Sequence, residues 1–328
     1  VALMPIVWLI VGLITLIFGS ELLVRGASKL ARSAGVSSFV VGLTVVAFGT
    51  SAPELGGSLG AALNDNGGLA IGNIVGSNIA NICLILGVAA LICPIPVRTS
   101  LVRREVIQMI AVTVAAMLIM IPAQMPRWGG ALLVVGLVVF IVRTYKNGKR
   151  DPEQAKELER AAGALDEEVE AGVKTPIVLN VIFVILGIGL LVFGADKLVA
   201  GATSLAQMLK VPDAVIGLSL VALGTSIPEL SLSVVAAIRK EPDIAIGNVL
   251  GSNIFNVLCV MGLTTLVSPH PMIVPEGMWT LDAWVMLGAA LACVPLMFIG
   301  GRITRIEGAL LLGLYVVYMG ALYALRRG

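Results

Sequence analysis

Charge is scarce in this 328-residue chain: Asp, Glu, Lys and Arg make up 13% of it. An ordinary soluble domain carries about twice that share. With 58% hydrophobic residues, a large soluble domain has nowhere to sit. Histidine occurs once, at His270, which removes His-based zinc motifs and argues against a His-dependent nucleophilic triad. The four cysteines, Cys83, Cys93, Cys259 and Cys293, lie in or beside apolar segments without metal-ligand spacing. They read as buried, unpaired thiols. The net charge of +2 says little about partners, and no nucleic-acid partner is expected.

What the chain has instead is apolar runs, each long enough to cross a bilayer core of about 30 Å. Ten are expected: 3–32, 37–63, 69–92, 104–121, 128–146, 176–208, 212–238, 244–267, 279–299 and 304–325. No basic region or convincing cleavage site accompanies residues 3–18, so they read as part of the first span and not as a signal peptide. The fold class expected is all-α, a polytopic membrane protein surrounded by lipid.

One long polar stretch, 147–175, divides the ten segments into five and five. The expected organisation is a first repeat at 1–146, a cytoplasmic linker at 147–175 and a second repeat at 176–328. An odd number of spans per repeat makes the second copy enter from the opposite side, which requires inverted topology. With the N-terminus outside, the inner ends collect Arg98, Arg103, Arg104, Arg143, Lys146, Lys149, Arg150, Arg239, Lys240, Arg302 and Arg305, among others. The outside keeps Arg127, Lys197, Lys210, Arg326 and Arg327. The bias of basic residues toward the cytoplasm favours this orientation. Within the repeat, Arg239 and Lys240 stand where the first copy has Asn64 and Asp65, as opposite orientations demand.

The duplicated residues are the polar ones. Gly49-Thr50-Ser51-Ala52-Pro53-Glu54 returns as Gly224-Thr225-Ser226-Ile227-Pro228-Glu229. Gly72-Asn73, Gly76-Ser77-Asn78 and Asn81 return as Gly247-Asn248, Gly251-Ser252-Asn253 and Asn256. Pro53 and Pro228 have no N–H, so the carbonyls of Gly49 and Gly224 lose their helical partners. In lipid, such carbonyls must face protein, water or an ion. Thr50 and Glu54 share one helix face, as do Thr225 and Glu229. Each motif thus gathers a carboxylate, two hydroxyls and freed carbonyls, and every donor is oxygen.

A charged side chain at the centre of a spanning helix costs about 2.5–3.5 kcal/mol. Two glutamates therefore cost about 5–7 kcal/mol, comparable to a domain's net stability. No Lys or Arg in the neighbouring apolar segments is placed to pair with them; the nearest candidate, Lys197, lies toward the end of the sixth segment. A cation held between Glu54 and Glu229 satisfies both carboxylates. Calcium tolerates six to eight oxygens in flexible geometry; several sodium ions in smaller subsites are the alternative. Soft metals are disfavoured by the absence of accompanying Cys or His. Separately, Gly12, Gly19 and Gly26 recur every seven residues, as do Gly187, Gly194 and Gly201. Each set is a smooth stripe on one helix face, suited to close packing or to sliding.

These paired motifs resemble the alpha-repeats of the sodium/calcium exchanger family, and the likeness covers essentially the whole chain, in the manner of a compact prokaryotic member. The resemblance implies calcium between Glu54 and Glu229, helped by the carbonyls of Thr50 and Thr225. It implies sodium subsites at Ser51, Ser77, Ser226 and Ser252, at the Thr50 and Thr225 hydroxyls, and at the carbonyls of Ala47 and Ala222. Asn81 and Asn256 belong to the same expected site, and some relatives have aspartate at the second position. Its absence here argues against potassium co-transport. The first and sixth helices are expected to slide as a pair. The function implied is secondary antiport of calcium against sodium by alternating access, electrogenic, with no enzyme activity and no cofactor. Calcium/proton exchange and a passive cation channel are the alternatives. A prokaryotic plasma-membrane location and a monomer complete the expectations.

Overall fold

The computed structural model describes residues 3–34, 36–148, 177–209 and 224–326. Ala222, most of the 147–175 linker and the first part of the seventh segment lie outside the described residues.

The helices are α1 (Leu3–Ala34), α2 (Ser38–Thr50), α3 (Ala52–Leu63), α4 (Gly67–Ile92), α5 (Thr99–Met120) and α6 (Arg127–Gly148) in the first half. The second half has α7 (Ile177–Met208), α8 (Ile227–Ile238), α9 (Pro242–Val267), α10 (Asp282–Phe298) and α11 (Arg305–Arg326). Helices α2 and α3 form one span bent by 42°, and α8 is the described part of the seventh. The fold is all-α, with ten transmembrane helices in two inverted five-helix repeats. Most boundaries agree with the apolar runs. The fourth span begins at Thr99 and not at 104, because long Arg103 and Arg104 side chains let a helix run past its apolar stretch.

Two antiparallel strand pairs test the topology. Strand β1 (Ile95–Pro96) pairs with β4 (Arg302–Ile303), and β2 (Gln124–Met125) with β3 (Met272–Ile273). Six spans separate the loops of the first pair and four those of the second. Both counts are even, so each pair closes on one membrane face. The α3–α4 and α8–α9 turns match as well: Asp65 and Lys240 hold φ of 57° and 60°. The following amides, Asn66 and Glu241, reach back to the Ala61 and Ala236 carbonyls, each at 2.9 Å. This left-handed helix stop satisfies terminal carbonyls, and it is built identically from residues of opposite charge character.

Helix α9 is buried except at its ends and α4 along most of its length, whereas α1, α6, α7 and α11 expose apolar side chains such as Leu13, Val138, Ile185 and Val316. The bundle therefore has a polar-cored centre inside a lipid-facing shell. The two glycine stripes face each other across an antiparallel α1–α7 contact. A Cβ on Gly12 would lie 2.6 Å from the Leu198 nitrogen, and one on Gly194 would lie 3.0 Å from the Gly12 carbonyl oxygen. Gly19 and Gly187 meet in the same way. The stripes thus serve close packing of these two helices on one another, which binds them as a unit.

Candidate functional site

The site begins at two broken helices. Ser51 (φ −81°, ψ 6°) and Ser226 (φ −91°, ψ 4°) leave the helical region immediately before proline-containing first turns. Each break starts a new helix whose first turn carries the glutamate, Glu54 or Glu229. A carboxylate at that end meets the unpaired N–H groups and the positive end of the helix dipole. Helix breaking thus offsets part of the cost of burying it. Both glutamates are shielded from the surroundings, at 0% and 1% exposure.

Close helix crossings bring the two copies together. Gly247 and Gly251 of α9 would place a Cβ 2.7 Å from the Phe39 carbonyl oxygen and 2.5 Å from that of Leu43. Only glycine permits this approach of α9 to α2. It sets the Ala47–Thr50 turn beside Asn248 and Ser252. At the crossing of α4 and α9, Asn78 donates to the Asn253 carbonyl at 3.3 Å.

The hydrogen bonds then cross between repeats. Ser51 donates to Glu229 Oε1 at 3.2 Å, and Ser226 donates to Glu54 Oε1 at 3.1 Å. Thr50 lies 3.0 Å from Asn248 Oδ1, and Thr225 lies 3.5 Å from Asn73 Oδ1. Ser77 and Ser226 hydroxyls are 3.3 Å apart. Each glutamate is therefore held by the serine of the opposite copy, and the site exists only where both repeats meet.

What remains unpaired is as informative. Twelve buried side-chain oxygen and nitrogen atoms lack a hydrogen-bond partner among the described residues, and eight of them belong to Glu54, Asn78, Asn81, Glu229, Ser252 and Asn256. An unsatisfied buried polar group costs about 1–3 kcal/mol. Concentrating them at one place marks a position for a ligand with many weak oxygen contacts. Oε2 of both glutamates, the Ser252 hydroxyl and the amide oxygens of Asn81 and Asn256 are all available. Among the described residues, no group of three His, Cys, Asp or Glu side chains gathers elsewhere or here. The donor set is hard, oxygen-only and carries two carboxylates, which suits calcium or sodium and not a soft metal.

Both asparagines also open a wide helical turn. Asn81–Leu86 and Asn256–Met261 are π-helical, at matching places in the repeats. Such bulges cluster at functional sites.

Eleven of the twelve expected site residues are described, and all eleven lie on the elements that converge here; Ala222 is the exception. The Ala47 carbonyl accepts from Ser51 N at 3.0 Å and lies 3.3 Å from Thr50 Oγ1, whose one proton it shares as an acceptor with Asn248, so a lone pair remains for an ion when Thr50 turns to the amide. Lys197 is not at the site: it pairs with Asp196 at 2.9 Å and sits over the Trp8 ring at 5.0 Å. Sequence reasoning left out Ser58 and Ser233, which are buried and bonded to Asn73 and Asn248 at 3.0 and 3.1 Å. Their signal was present, since both follow a glutamate by four residues in both copies.

Comparison with known proteins gives one consistent result. The sequence model of the family described as sodium/calcium exchanger protein matches residues 4–146 and 179–324. The sodium/calcium exchanger MaX1 of Methanosarcina acetivorans is 32% identical over 350 aligned positions, covering 96% of this chain and 97% of its own length. The inner membrane protein YrbG of Escherichia coli is 35% identical over 327, covering 96% and 95%. Among solved structures, the sodium-calcium exchanger NCX_Mj soaked with zero Na+ and Ca2+ matches with a TM-score of 0.83 and 30% identity, over 98% of this chain and 100% of that one.

Proposed function

The chain belongs to the sodium/calcium exchanger family, and from that membership we infer that it is a secondary active antiporter, exchanging calcium for sodium across a membrane by alternating access. The observation that carries the reading is the crossed pair of buried glutamates, each tied to the other repeat's serine, with unpartnered oxygens around them. Two carboxylates neutralise one calcium. The same oxygens, divided among smaller subsites, hold sodium ions that compete for the carboxylates.

We assign calcium to Glu54 and Glu229 with the Thr50 and Thr225 carbonyls. Sodium is assigned to Ser51, Ser77, Ser226, Ser252, the two threonine hydroxyls and the carbonyls of Ala47 and Ala222, with Asn81 and Asn256 completing the cluster. The family is one of transporters, and the chain is an integral membrane protein. The distribution of basic residues supports an outside N-terminus and a cytoplasmic 147–175 linker, in a plasma membrane. The interlocked α1–α7 pair is the element that moves as a unit. If three sodium ions exchange for one calcium, one net charge crosses per cycle, worth about 2.3 kcal/mol per 100 mV.

The deciding experiment is calcium uptake into proteoliposomes under opposed sodium or proton gradients. Uptake is expected to follow the sodium gradient and to respond to an imposed voltage. Uptake driven only by the pH gradient, or a gradient-independent conductance in a planar bilayer, refutes sodium exchange.

A further inference from the structure

Behind the two glutamates lies a second pair of duplicated side chains that ligand assignments leave out, Asn73 and Asn248. Asn248 is fully buried, and its amide can be oriented from chemistry alone. Nδ2 faces the Glu229 carbonyl at 3.5 Å and the Ser233 hydroxyl at 3.1 Å. A carbonyl only accepts, so the nitrogen belongs on that side. Oδ1 then faces Thr50 Oγ1 at 3.0 Å. An amide oxygen also only accepts, so the threonine donates.

The other copy repeats the arrangement. Asn73 Nδ2 faces the Glu54 carbonyl at 3.4 Å and Ser58 Oγ at 3.0 Å, and its Oδ1 faces Thr225 Oγ1 at 3.5 Å. Each amide is anchored on its own repeat's glutamate backbone and serine, and it takes the proton of the opposite repeat's threonine. A hydroxyl has one proton and two lone pairs. Once the proton is committed to the amide, the lone pairs are free to face a cation. Thr50 has competing acceptors in the Ala47 carbonyl at 3.3 Å and in the Glu229 carboxylate, as Thr225 has in Glu54; the amide takes the proton once the carboxylates turn to a cation.

We propose that Asn73 and Asn248, braced by Ser58 and Ser233, are positioning residues that draw the hydroxyl protons of Thr225 and Thr50 out of the ion site, so that each threonine hydroxyl presents lone pairs to sodium. The proposal rests on the exchange reading above and adds to it a crossed coupling: Asn248 acts through Thr50, and Asn73 through Thr225. Outer partners that orient a metal's ligands are typically worth about 10- to 100-fold in affinity.

The test is a double-mutant cycle on the purified full-length protein, read by equilibrium calcium binding with sodium competition. Asn248→Ala is expected to weaken sodium's competition with calcium about 10- to 100-fold. In a Thr50→Val background the same change is expected to have almost no further effect, whereas with Thr225→Val the two losses multiply. Thr50→Ser, which keeps the hydroxyl, retains the coupling. Where Asn248→Ala does not fold, Ser233→Ala removes one brace of the amide; a smaller loss, again absent with Thr50→Val, is expected. Multiplicative losses for Asn248 with Thr50, or stronger coupling within one repeat than across, overturn the positioning role. So does unchanged sodium competition in Ser233→Ala. A wild-type protein that binds no calcium overturns the exchange reading itself, and the proposal with it.

Discussion

Replacing Glu54 by glutamine separates charge from shape at the centre of the site. Glutamine keeps Oε1, the acceptor for Ser226 at 3.1 Å, and puts an NH2 group where Oε2 has no partner among the described residues. Leaving that group unsatisfied costs about 1–3 kcal/mol. Removing one of two buried like charges returns about 2.5–3.5 kcal/mol, so the ion-free protein changes little or gains stability. Calcium binding moves the other way. Truncating one member of a buried charge pair costs about 2–5 kcal/mol, or roughly 30- to several-thousand-fold in affinity. Thermal unfolding in detergent reads both effects. At 100 times the wild-type Kd, calcium stabilises the wild type by about 2.7 kcal/mol. For a variant bound 1,000-fold more weakly, the same concentration contributes less than about 0.1 kcal/mol. The expected signature is therefore a variant as stable as wild type without calcium, and unmoved by it. A Glu54→Gln protein that gains as much from calcium as wild type would falsify the placement of this carboxylate. Glu229→Gln, held by Ser51 in the same geometry, is expected to behave alike.

Other expectations follow from the same geometry. Gly12→Ala forces a Cβ to 2.6 Å from the Leu198 backbone, an overpacking of about 1–3 kcal/mol against a helix-propensity gain of about 0.5–1. Gly194→Ala presses on the same crossing, so the double variant is expected to cost less than the two single losses together; a thermal melt showing a full propensity gain for either variant refutes the packing role. Asn256→Asp adds a third carboxylate where both amide atoms lack partners, and the sodium titration of calcium uptake is expected to shift; an unchanged titration removes Asn256 from the ions' neighbourhood. Glu21 pairs with Arg25 and, at 2.6 Å, with Arg239, both arginines more than half exposed. Glu21→Gln is therefore expected to lower stability by less than about 1 kcal/mol, and a larger drop in melting stability contradicts a solvated pair.

Much of this site was legible because its causes are local. The proline at Pro53 withholds an N–H whatever the helix packs against, so the break before Glu54 could be placed from sequence, and the structure bends at Ser51. The duplicated Asn81 and Asn256 pointed to the cluster, where they carry unpartnered amide atoms. The glycine stripes were ambiguous. Periodicity gives a face but not the neighbour it meets, and only the α1–α7 crossing showed that the two stripes meet each other. Asn73 and Asn248 were ambiguous for the same reason. An amide near glycines suits plain packing equally well until its partners are known.

The sequence by itself determined the membrane class, the ten spans, the inversion of the repeats and the two acidic residues, because run length, parity and the missing proline N–H are properties of a chain read in order. Tertiary structure alone decided that Ser51 serves Glu229 while Ser226 serves Glu54, and that Ser58 and Ser233 stand behind the amides. Those pairings depend on how closely α2 and α9 cross and how the repeats turn about each other. Residues about as far apart in sequence as the repeats themselves meet only once glycine contacts have fixed that geometry.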